Sequence, residues 1–292
     1  MAAVAVSMGD PLGIGPEVVC AALADPRAPP AVVFGERAVL ERAARLRNVA
    51  APARIVEVAG SALAFVDAAA DAVARGELAA LCTAPLSKER VAASSPGFVG
   101  HTEHLAQRTG ARVAMMMAGP RLRVVLATNH LALRDVPRRL TQEQIAFVTV
   151  LCARELRTRF GIAQPRVAVL GLNPHAGDGG IFGDEEARVI APAIALARAQ
   201  GADASGPHPA DGFLPKAVRG ACDAVVALYH DQGLIPAKLL DFDETVNVTL
   251  GLPWPRTSPD HGTADDIAWK GVANEAPMLH ALLLAARLAR AT

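Results

Sequence analysis

The chain has 292 residues, of which 52% are hydrophobic and 20% are charged, enough apolar material for a large buried core. Its 29 basic and 29 acidic residues cancel to a net charge of zero, and aromatic residues make up only 4%. Without a basic stripe or stacking aromatics, nucleic acid is excluded as the main partner. No apolar run reaches the ~18–20 residues that a membrane span requires, so we expect no membrane partner.

The cysteines and the N-terminus indicate a reducing compartment. Cys20, Cys82, Cys152 and Cys222 are far apart, show no C-x-x-C spacing and stand in apolar surroundings, so we expect reduced core residues. The first residues lack the charged and long apolar regions of a signal peptide, and Val4–Met8 predicts a strand instead. We therefore expect a cytoplasmic protein.

Short apolar runs alternate with longer stretches rich in alanine and arginine. The runs predict strands at Val4–Met8, Ala31–Phe34, Ala53–Val58, Ala79–Cys82, Val113–Ala118, Arg123–Thr128, Arg166–Leu170 and Ala224–Tyr229. The stretches predict helices at Glu17–Ala24, Arg37–Arg47, Ala62–Arg75, Thr102–Thr109, Gln142–Phe160, Glu185–Gln200 and Pro277–Arg290. This alternation predicts an α/β fold with a mostly parallel sheet, made mixed by a hairpin around Gly119-Pro120.

The domain organisation follows from the connections. Because no linker is long enough to separate independent domains, we expect two lobes that share a cleft. One α/β lobe comprises residues 1–100 with 256–292, and the other comprises residues 101–255.

Two threonines are predicted to cap helices. Thr141 opens a capping-box pattern before Gln142-Glu143-Gln144, and Thr102 precedes the helical pattern that ends at Thr109. Amides exposed at the second helix start, beside His101, would bind an anionic group such as phosphate. The alternative is a capped helix with no ligand.

Three predicted strands are each followed by a histidine in a polar turn. His130 follows the run from 123, His175 follows the run from 166, and His230 follows the run from 224. Ligands of an open α/β sheet bind beyond the carboxyl ends of its strands, and neutral imidazole is the commonest ligand of zinc and related divalent ions. The histidines are therefore a candidate metal site, although each one alone is more typical of a hydrogen-bonded loop residue.

Several other polar segments have the composition of ligand-binding turns. The first strand leads into three glycines at 9, 13 and 15, but the spacing is not G-x-G-x-x-G, so a Rossmann phosphate loop is unsupported and a tight turn is the alternative. Lys238, Asn247 and Arg256 suit a substrate with phosphate and carboxylate groups, although each alone is typical of a solvated surface. The stretch Arg256–Ala268 predicts a polar loop followed by a helix start.

Taken together, these segments resemble the 4-hydroxythreonine-4-phosphate dehydrogenase family of pyridoxal phosphate biosynthesis. The matching segments are Met8-Gly-Asp-Pro-x-Gly-Ile-Gly-Pro-Glu17, Gly100-His-Thr-Glu103, His130-Leu-x-Leu-Arg-Asp135, Leu172-Asn-Pro-His-Ala-Gly177, Gly206-Pro-x-Pro-Ala-Asp211, Tyr229-His-Asp-Gln-Gly233, Asn247-Val-Thr-Leu-Gly-Leu-Pro253 and Arg256–Ala268. The first and last of them are also similar to the wider isocitrate and isopropylmalate dehydrogenase group. That likeness implies a three-layer α/β/α fold of this non-Rossmann type.

The resemblance implies an activity and its partners. The family oxidises 4-phosphooxy-L-threonine with NAD or NADP, and decarboxylation then gives 3-amino-2-oxopropyl phosphate. It implies one divalent ion (zinc, magnesium, cobalt or manganese) and a homodimer with the active site near the interface. No arginine cluster suited to a 2′-phosphate stands out, but the sequence leaves the choice between NAD and NADP open.

The resemblance also implies roles for individual residues. The metal ligands are His130, His175 and His230. The substrate contacts are His101, Thr102, Lys238, Asn247 and Arg256. The cofactor loop contains His261, Gly262, Thr263, Asp266 and Ile267. The candidate catalytic groups are Asp231, or a metal-linked water, as the base, and Lys238 as the group that stabilises or protonates the decarboxylated species.

Other functions stay open on the sequence. His104, Asn129, His208 and Gly212 depart from the family's usual residues, which bears on the substrate rather than on the reaction type. The main alternative is a paralogous dehydrogenase of another phosphorylated hydroxy acid or of a carboxylated cis-dihydrodiol. A metal-dependent hydrolase or aldolase would not need the dinucleotide loop, and a silent metal-binding protein would not need the lysine and arginine.

Overall fold

A computed structural model describes residues 3–291. The strands are β1 (Val4–Ser7), β2 (Ala31–Gly35), β3 (Ile55–Glu57), β4 (Ala80–Thr83), β5 (Ala114–Ala118), β6 (Arg123–Leu126), β7 (Arg166–Leu170), β8 (Asp203–His208), β9 (Ala224–Ala227), β10 (Val246–Leu250) and β11 (Arg256–Pro259). The α-helices are α1 (Gly15–Ala24), α2 (Arg37–Leu46), α3 (Ala62–Ala74), α4 (Lys88–Ser94), α5 (His101–Thr109), α6 (Val136–Arg139), α7 (Gln142–Thr158), α8 (Ala191–Ala199), α9 (Ala210–Val218), α10 (His230–Asp241) and α11 (Ala276–Leu288). A π-helical turn, Glu186–Ile190, leads into α8.

The chain forms two compact units, one of residues 3–113 with 246–291 and the other of residues 114–245. The prediction differs from this division at two stretches, because it places residues 101–113 and 246–255 in the second lobe. In the structure both stretches pack within the first unit, where Thr249 on β10 contacts Thr102 on α5 and the guanidinium of Arg256 on β11.

Each unit contains a mixed, mostly parallel sheet, which confirms the predicted α/β class. In the first unit the strand order is β3-β2-β1-β4-β11-β10, and β10 is antiparallel to β11. In the second unit the order is β5-β6-β9-β7-β8, and β5 is antiparallel to β6. The β5–β6 pair is the predicted hairpin.

After the arginine that begins β6 and the one that begins β7, the central strands of the second unit carry only aliphatic side chains, and these residues are buried between helices on both faces. Val124, Val225 and Leu170 on β6, β9 and β7 belong to one apolar cluster, which Leu234 of α10 also joins. Gly233 lets α10 approach β6 closely, since a Cβ there would lie 2.6 Å from Cγ1 of Val124. This approach fixes the helix that begins at His230.

Seven of the strands and α-helices in the described residues are not predicted from the sequence, namely β8, β10, β11, α4, α6, α9 and α10. The stretch from Arg256 is expected to be a loop, yet Arg256–Pro259 is a fully buried strand, because hydrogen bonds to neighbouring elements satisfy its polar side chains. His230 is expected in a turn, yet it begins a helix whose interior contains Gly233 and Pro236, residues that weaken a helical pattern. The predicted helix from Glu185 is divided into the π-helical turn and α8.

Three smaller expectations are also settled. Cys20, Cys82 and Cys152 are buried free thiols, whereas Cys222 is only half-buried. Thr141 caps α7 by accepting a hydrogen bond from the amide of Gln144 at 3.1 Å, as predicted. No helix among residues 3–291 is both long and apolar enough to cross a membrane.

Candidate functional site

The second unit presents the three predicted histidines beyond neighbouring strand ends. His130 follows β6, His230 follows β9 and His175 follows β7, and these strands are adjacent and parallel. Side chains connect the strand ends. Thr128 donates to the carbonyl of Leu228 at 2.6 Å. Gln232 similarly donates to the carbonyl of Gly171 at 2.7 Å.

Two of these histidines lie together, and the third stands apart. The rings of His130 and His230 are 5.4 Å apart between centroids, whereas His175 lies beside Phe182, 6.2 Å between ring centroids. Across residues 3–291 no three histidine, cysteine or acidic side chains are close enough to hold a metal ion. The described chain thus brings together two of the three predicted ligands.

His230 is oriented by the neighbouring carboxylate. Its Nδ1 donates to Oδ1 of Asp231 at 2.7 Å, which leaves Nε2 as the lone-pair nitrogen. A carboxylate behind a histidine in this way fixes the tautomer and raises the basicity of a metal ligand. Asp231, the predicted base, is therefore engaged with His230, and Lys238 lies two turns further along α10, half-buried.

His175 lies in a loop with an unusual backbone. Residues 175 to 179 all have positive φ, including 54° at His175 and 53° at Ala176. Non-glycine residues adopt such angles at a cost and do so mainly where the surroundings enforce them. The buried carboxylate of Glu186 holds this loop through hydrogen bonds to Leu172 and Asn173.

The first unit buries a cation among hydroxyl groups. Arg256 on β11 is 2% exposed, and its guanidinium donates to Oγ1 of Thr83 at 2.5 Å and to Oγ1 of Thr249 at 3.1 Å. Its Nε is buried, and none of the described residues accepts a hydrogen bond from it. Burial lowers the pKa of Arg256 to about 10, which still leaves a cation at neutral pH.

Unpartnered polar atoms surround this arginine. Nε2 of His101 and Oδ1 of Asn247 are buried, with no hydrogen-bond partner in the part of the chain that the structure describes. Burial and the nearby charge of Arg256 hold the pKa of His101 well below its usual value of 6.5, so the ring is neutral. Buried groups left without partners cost free energy unless a ligand pairs with them. The cluster is suited to an anionic ligand that also accepts and donates hydrogen bonds.

Thr102 has a different role from the predicted N-cap. The N-cap of α5 is Gly100, and Thr102 lies in the first turn of the helix with its Oγ1 3.4 Å from that of Thr249. The helix α5 begins at His101, one residue earlier than predicted. Thr102 therefore faces the same buried hydroxyls as Arg256.

The predicted cofactor loop is an exposed turn fastened to the first strand's loop. The amide of Ile14 donates to the carbonyl of Thr263 at 3.0 Å, and Gly13 has no room for a Cβ beside Thr263. Gly262 is exposed with open space around it, and Nδ1 of His261 donates to its carbonyl at 3.1 Å. Asp266 is exposed and Ile267 is half-buried in the turn that follows.

Two sets of contacts that the sequence does not predict hold this loop, one of ion pairs and one of hydrogen bonds to a buried carboxylate. Arg90 donates to Asp10 at 2.7 Å and, through both terminal nitrogens, to Asp265 at 2.8 and 3.1 Å. The hydrogen bond from Arg90 lowers the pKa of Asp265 to about 2. Glu17, fully buried, accepts from the amides of Trp269 and Gly271 at 2.6 and 2.8 Å.

Other site residues escape prediction for a common reason. Thr83 and Glu186 lie in no matching segment and are far along the chain from the residues they contact. Glu17 and Thr249 do lie in matching segments, yet nothing in the spacing of Glu17 points to residues 252 positions away.

The fold and the site define a class of protein. The structure aligns with a β-decarboxylating dehydrogenase from Thermococcus kodakarensis at a TM-score of 0.56 and 17% identity, over 96% of this chain and 82% of that one. At that identity the likeness shows the α/β fold alone. The chain itself belongs to the family described as pyridoxal phosphate biosynthetic protein PdxA, whose model matches residues 43–285.

Individual relatives agree with this family. A 4-hydroxythreonine-4-phosphate dehydrogenase from Geobacter metallireducens is 45% identical, covering 98% of this chain and 95% of its own. The structure of a Klebsiella pneumoniae enzyme of that name aligns at a TM-score of 0.90 with 39% identity, over 99% and 98% of the two chains. A terephthalate 1,2-cis-dihydrodiol dehydrogenase from Burkholderia xenovorans aligns at 0.68 with 32% identity, over 95% of each chain.

Proposed function

We propose that the chain is an NAD-dependent dehydrogenase that oxidises 4-phosphooxy-L-threonine in pyridoxal phosphate biosynthesis. The overall reaction converts the C3 alcohol to a ketone with reduction of NAD to NADH, and the β-keto acid then loses CO2 to give 3-amino-2-oxopropyl phosphate. The observation that carries the proposal is full-length similarity to enzymes of that name, together with the buried Arg256 cluster that suits an anionic substrate.

The substrate contacts are proposed from the unpartnered atoms of the first unit. Arg256 supplies a fixed cation, since hydroxyl groups hold two of its nitrogens and burial excludes water. The neutral His101 and the side chains of Thr102 and Asn247 supply hydrogen bonds to phosphate, carboxylate or hydroxyl oxygens. Lys238 is assigned to the same substrate through the family resemblance.

His130, His175 and His230 are proposed to hold a divalent ion, and two chains are proposed to form the site. Three imidazole ligands would suit zinc, cobalt, manganese or magnesium. One chain by itself brings only two of them together, because His130 and His230 are neighbours and His175 stands apart. A bound ion would lower the pKa of a coordinated alcohol and stabilise negative charge that develops during decarboxylation. A homodimer in which the partner subunit's His175 completes the pair reconciles the family's ligand set with this geometry.

Exposed apolar side chains near the histidines support the dimer. On α10 and just after it, Ile235, Leu239 and Phe242 are 56%, 81% and 67% exposed, and they recur at intervals of three and four residues. Leu133 and Ile181, which follow His130 and His175 along the chain, are exposed as well. A row of large apolar residues on one helical face is typical of an interface.

The chain's own proton-transfer groups lie on α10. Asp231 holds the proton on Nδ1 of His230 and so keeps Nε2 free. Lys238 is proposed to protonate the carbon from which CO2 departs. The loop from His261 to Ile267 is proposed to bind NAD, since Gly262 leaves its backbone open to a ligand. The half-buried and buried free thiols agree with the proposed cytoplasmic location.

The decisive experiment measures NADH production with alternative substrates. The metal-supplemented protein is assayed with 4-phosphooxy-L-threonine, 4-phosphoerythronate and dephosphorylated 4-hydroxythreonine. We expect turnover of 4-phosphooxy-L-threonine and none of dephosphorylated 4-hydroxythreonine, because Arg256 and its neighbours favour an anionic substrate with a phosphate. Turnover of 4-phosphoerythronate without turnover of 4-phosphooxy-L-threonine would assign the chain to another phosphorylated hydroxy acid. Equal turnover of the dephosphorylated compound would exclude a dedicated phosphate site.

The dihydrodiol dehydrogenase neighbour supports a second candidate. That protein acts, by its name, on a carboxylated cis-dihydrodiol, and it shares the fold at 32% identity. A cis-dihydrodiol of an aromatic carboxylate is therefore included in the same assay. NADH production with it, and none with 4-phosphooxy-L-threonine, would assign the chain to this paralogous reaction.

A further inference from the structure

Glu186 is a buried carboxylate with no place in the proposed substrate, cofactor or metal sets. It is the first residue of the π-helical turn Glu186–Ile190 and is 6% exposed. Widened turns of this kind are often found at functional sites. A carboxylate buried at such a position needs strong hydrogen-bond donors to keep its charge.

Three donors come from the segment just before His175. Oε1 of Glu186 accepts from the amides of Leu172 and Asn173, each at 2.8 Å, and Oε2 accepts from Nδ2 of Asn173 at 2.9 Å. Burial by itself raises the pKa of Glu186, but these hydrogen bonds outweigh it and leave the pKa below its usual value. The carboxylate thus spans two backbone groups and one side chain of the loop.

Two glycines allow the backbone to close around the carboxylate. A Cβ on Gly177 would lie 2.7 Å from Oε2 of Glu186. A Cβ on Gly171 would lie 2.9 Å from Cα of Ala176 and 3.2 Å from Oε1 of Glu186. The backbone before His175, at Gly171, and after it, at Gly177, therefore packs directly against the side chain of Glu186.

The loop needs such a support because its backbone is strained. Six consecutive residues from His175 have positive φ, and three of them, His175, Ala176 and Asp178, are not glycine. A run of this kind persists only where the surroundings over-determine it. Glu186 accepts three hydrogen bonds from Leu172 and Asn173, the residues that lead into this strained run.

We infer that Glu186 is a positioning residue that holds the loop in the one conformation from which His175 binds the divalent ion. The inference rests on the proposed function, which makes His175 a ligand. Groups behind a ligand commonly change metal affinity by about 10- to 100-fold when they are replaced. Glu186 acts here through the backbone rather than by contact with the imidazole.

Binding of Co²⁺ to the metal-depleted protein, followed by visible absorption, tests this role. Glu186→Gln keeps the size of the side chain but turns an NH2 group toward an N–H donor. We expect its dissociation constant for Co²⁺ to rise about 10- to 100-fold, with a changed absorption envelope. Asp184→Asn is the matched control, because Asp184 is exposed and pairs with Arg188 one turn away, and its Co²⁺ affinity should equal that of the wild type.

Two further measurements separate positioning from general damage. NAD affinity of the metal-depleted protein, a property of the first unit, should be unchanged in Glu186→Gln. If that variant does not fold, Asn173→Ala, which removes only the side-chain hydrogen bonds, should show a smaller rise in the same dissociation constant. Equal losses of NAD and Co²⁺ affinity would overturn the positioning role.

The outcomes also distinguish this inference from the proposed function. Wild-type affinity for Co²⁺ in Glu186→Gln, with a loss in His175→Ala, would overturn the inference and leave the metal site standing. Wild-type affinity in His175→Ala, or no binding by the wild type, would overturn the proposed metal site and the inference together.

Discussion

At the scale of single residues, the first unit keeps a histidine neutral and an arginine charged side by side. Both are desolvated, but the pKa of Arg256 starts so high that burial leaves it protonated, whereas the same burial and the arginine's charge hold the pKa of His101 well below 6.5. A neutral imidazole beside a fixed guanidinium can donate a hydrogen bond to an anionic oxygen, or accept one from a hydroxyl group of the ligand.

The neutral state of His101 has a measurable consequence for stability. Below about pH 6.5 the unfolded chain binds a proton at this residue and the folded chain does not, so the free energy of unfolding falls as the pH falls. Denaturant unfolding between about pH 5 and 7.5 should give the wild type a steeper loss than His101→Gln, by up to about 1.4 kcal/mol per pH unit. Because His208 titrates equally in both proteins, its contribution cancels. Parallel curves would show that folding does not lower the pKa of His101.

At the scale of elements, the loop from His261 to Gly271 depends on α1 for its shape. Glu17, in the first turn of α1, accepts from the amides of Trp269 and Gly271. The indole of Trp269 in turn donates to the carbonyl of Pro11 at 3.0 Å. Trp269 has a positive φ of 61°, so these contacts hold a strained backbone in place. The start of α1 therefore supports the conformation of the proposed cofactor loop.

Replacing Glu17 should weaken both stability and NAD binding. In Glu17→Gln an NH2 group faces a backbone N–H in a fully buried site, which costs about 1–3 kcal/mol of unfolding free energy. We expect a weaker affinity for NAD, measured by the quenching or transfer of tryptophan fluorescence, with Co²⁺ affinity unchanged. Glu89→Gln, an exposed carboxylate on α4, is the control and should change neither. Unaltered NAD affinity in Glu17→Gln would separate the loop's anchoring from cofactor binding.

Elements were predictable where side-chain pattern and burial agree. The strands β6, β7 and β9 contain short aliphatic runs, which are typical of strands covered by helices on both faces. The sequence therefore predicts these strands and the histidines that follow them. The strand β11 has no aliphatic side chain, and it is buried because Thr257 donates to the carbonyl of Ala281 and Arg256 reaches two threonine hydroxyls. Such burial depends on partners far along the chain.

The same distinction applies to the candidate site. Histidines after strands and a matching set of segments are local signals, and they point to the residues now proposed as ligands and substrate contacts. The supports of those residues are not local. Glu186 reaches back to Asn173 across the loop it stabilises, and Arg90 joins two loops 255 positions apart only because the sheet brings Asp10 and Asp265 together.

At the scale of the whole molecule, the arrangement of the histidines predicts how two inactive variants complement each other. If His130 and His230 of one chain bind the ion with the partner subunit's His175, a mixed dimer of His175→Ala and His230→Ala contains one complete site and one that lacks two ligands. Random exchange makes half of the dimers mixed, so an equal mixture should recover about one quarter of wild-type activity.

A second mixture fixes which histidines share a chain. His130→Ala with His230→Ala should recover nothing, because each chain lacks one member of the pair whose rings lie 5.4 Å apart, and no exchange of subunits restores it. Activity is measured as NADH production after subunit exchange, with native mass measurement to confirm mixed dimers. Recovery in neither mixture would place all three ligands on one chain, and active protein found only as a monomer would exclude the shared site. The separation of His175 from the other two histidines predicts recovery in the first mixture alone. In a site divided between chains, His175→Ala and His230→Ala each supply the ligand that the other lacks, whereas His130→Ala and His230→Ala do not.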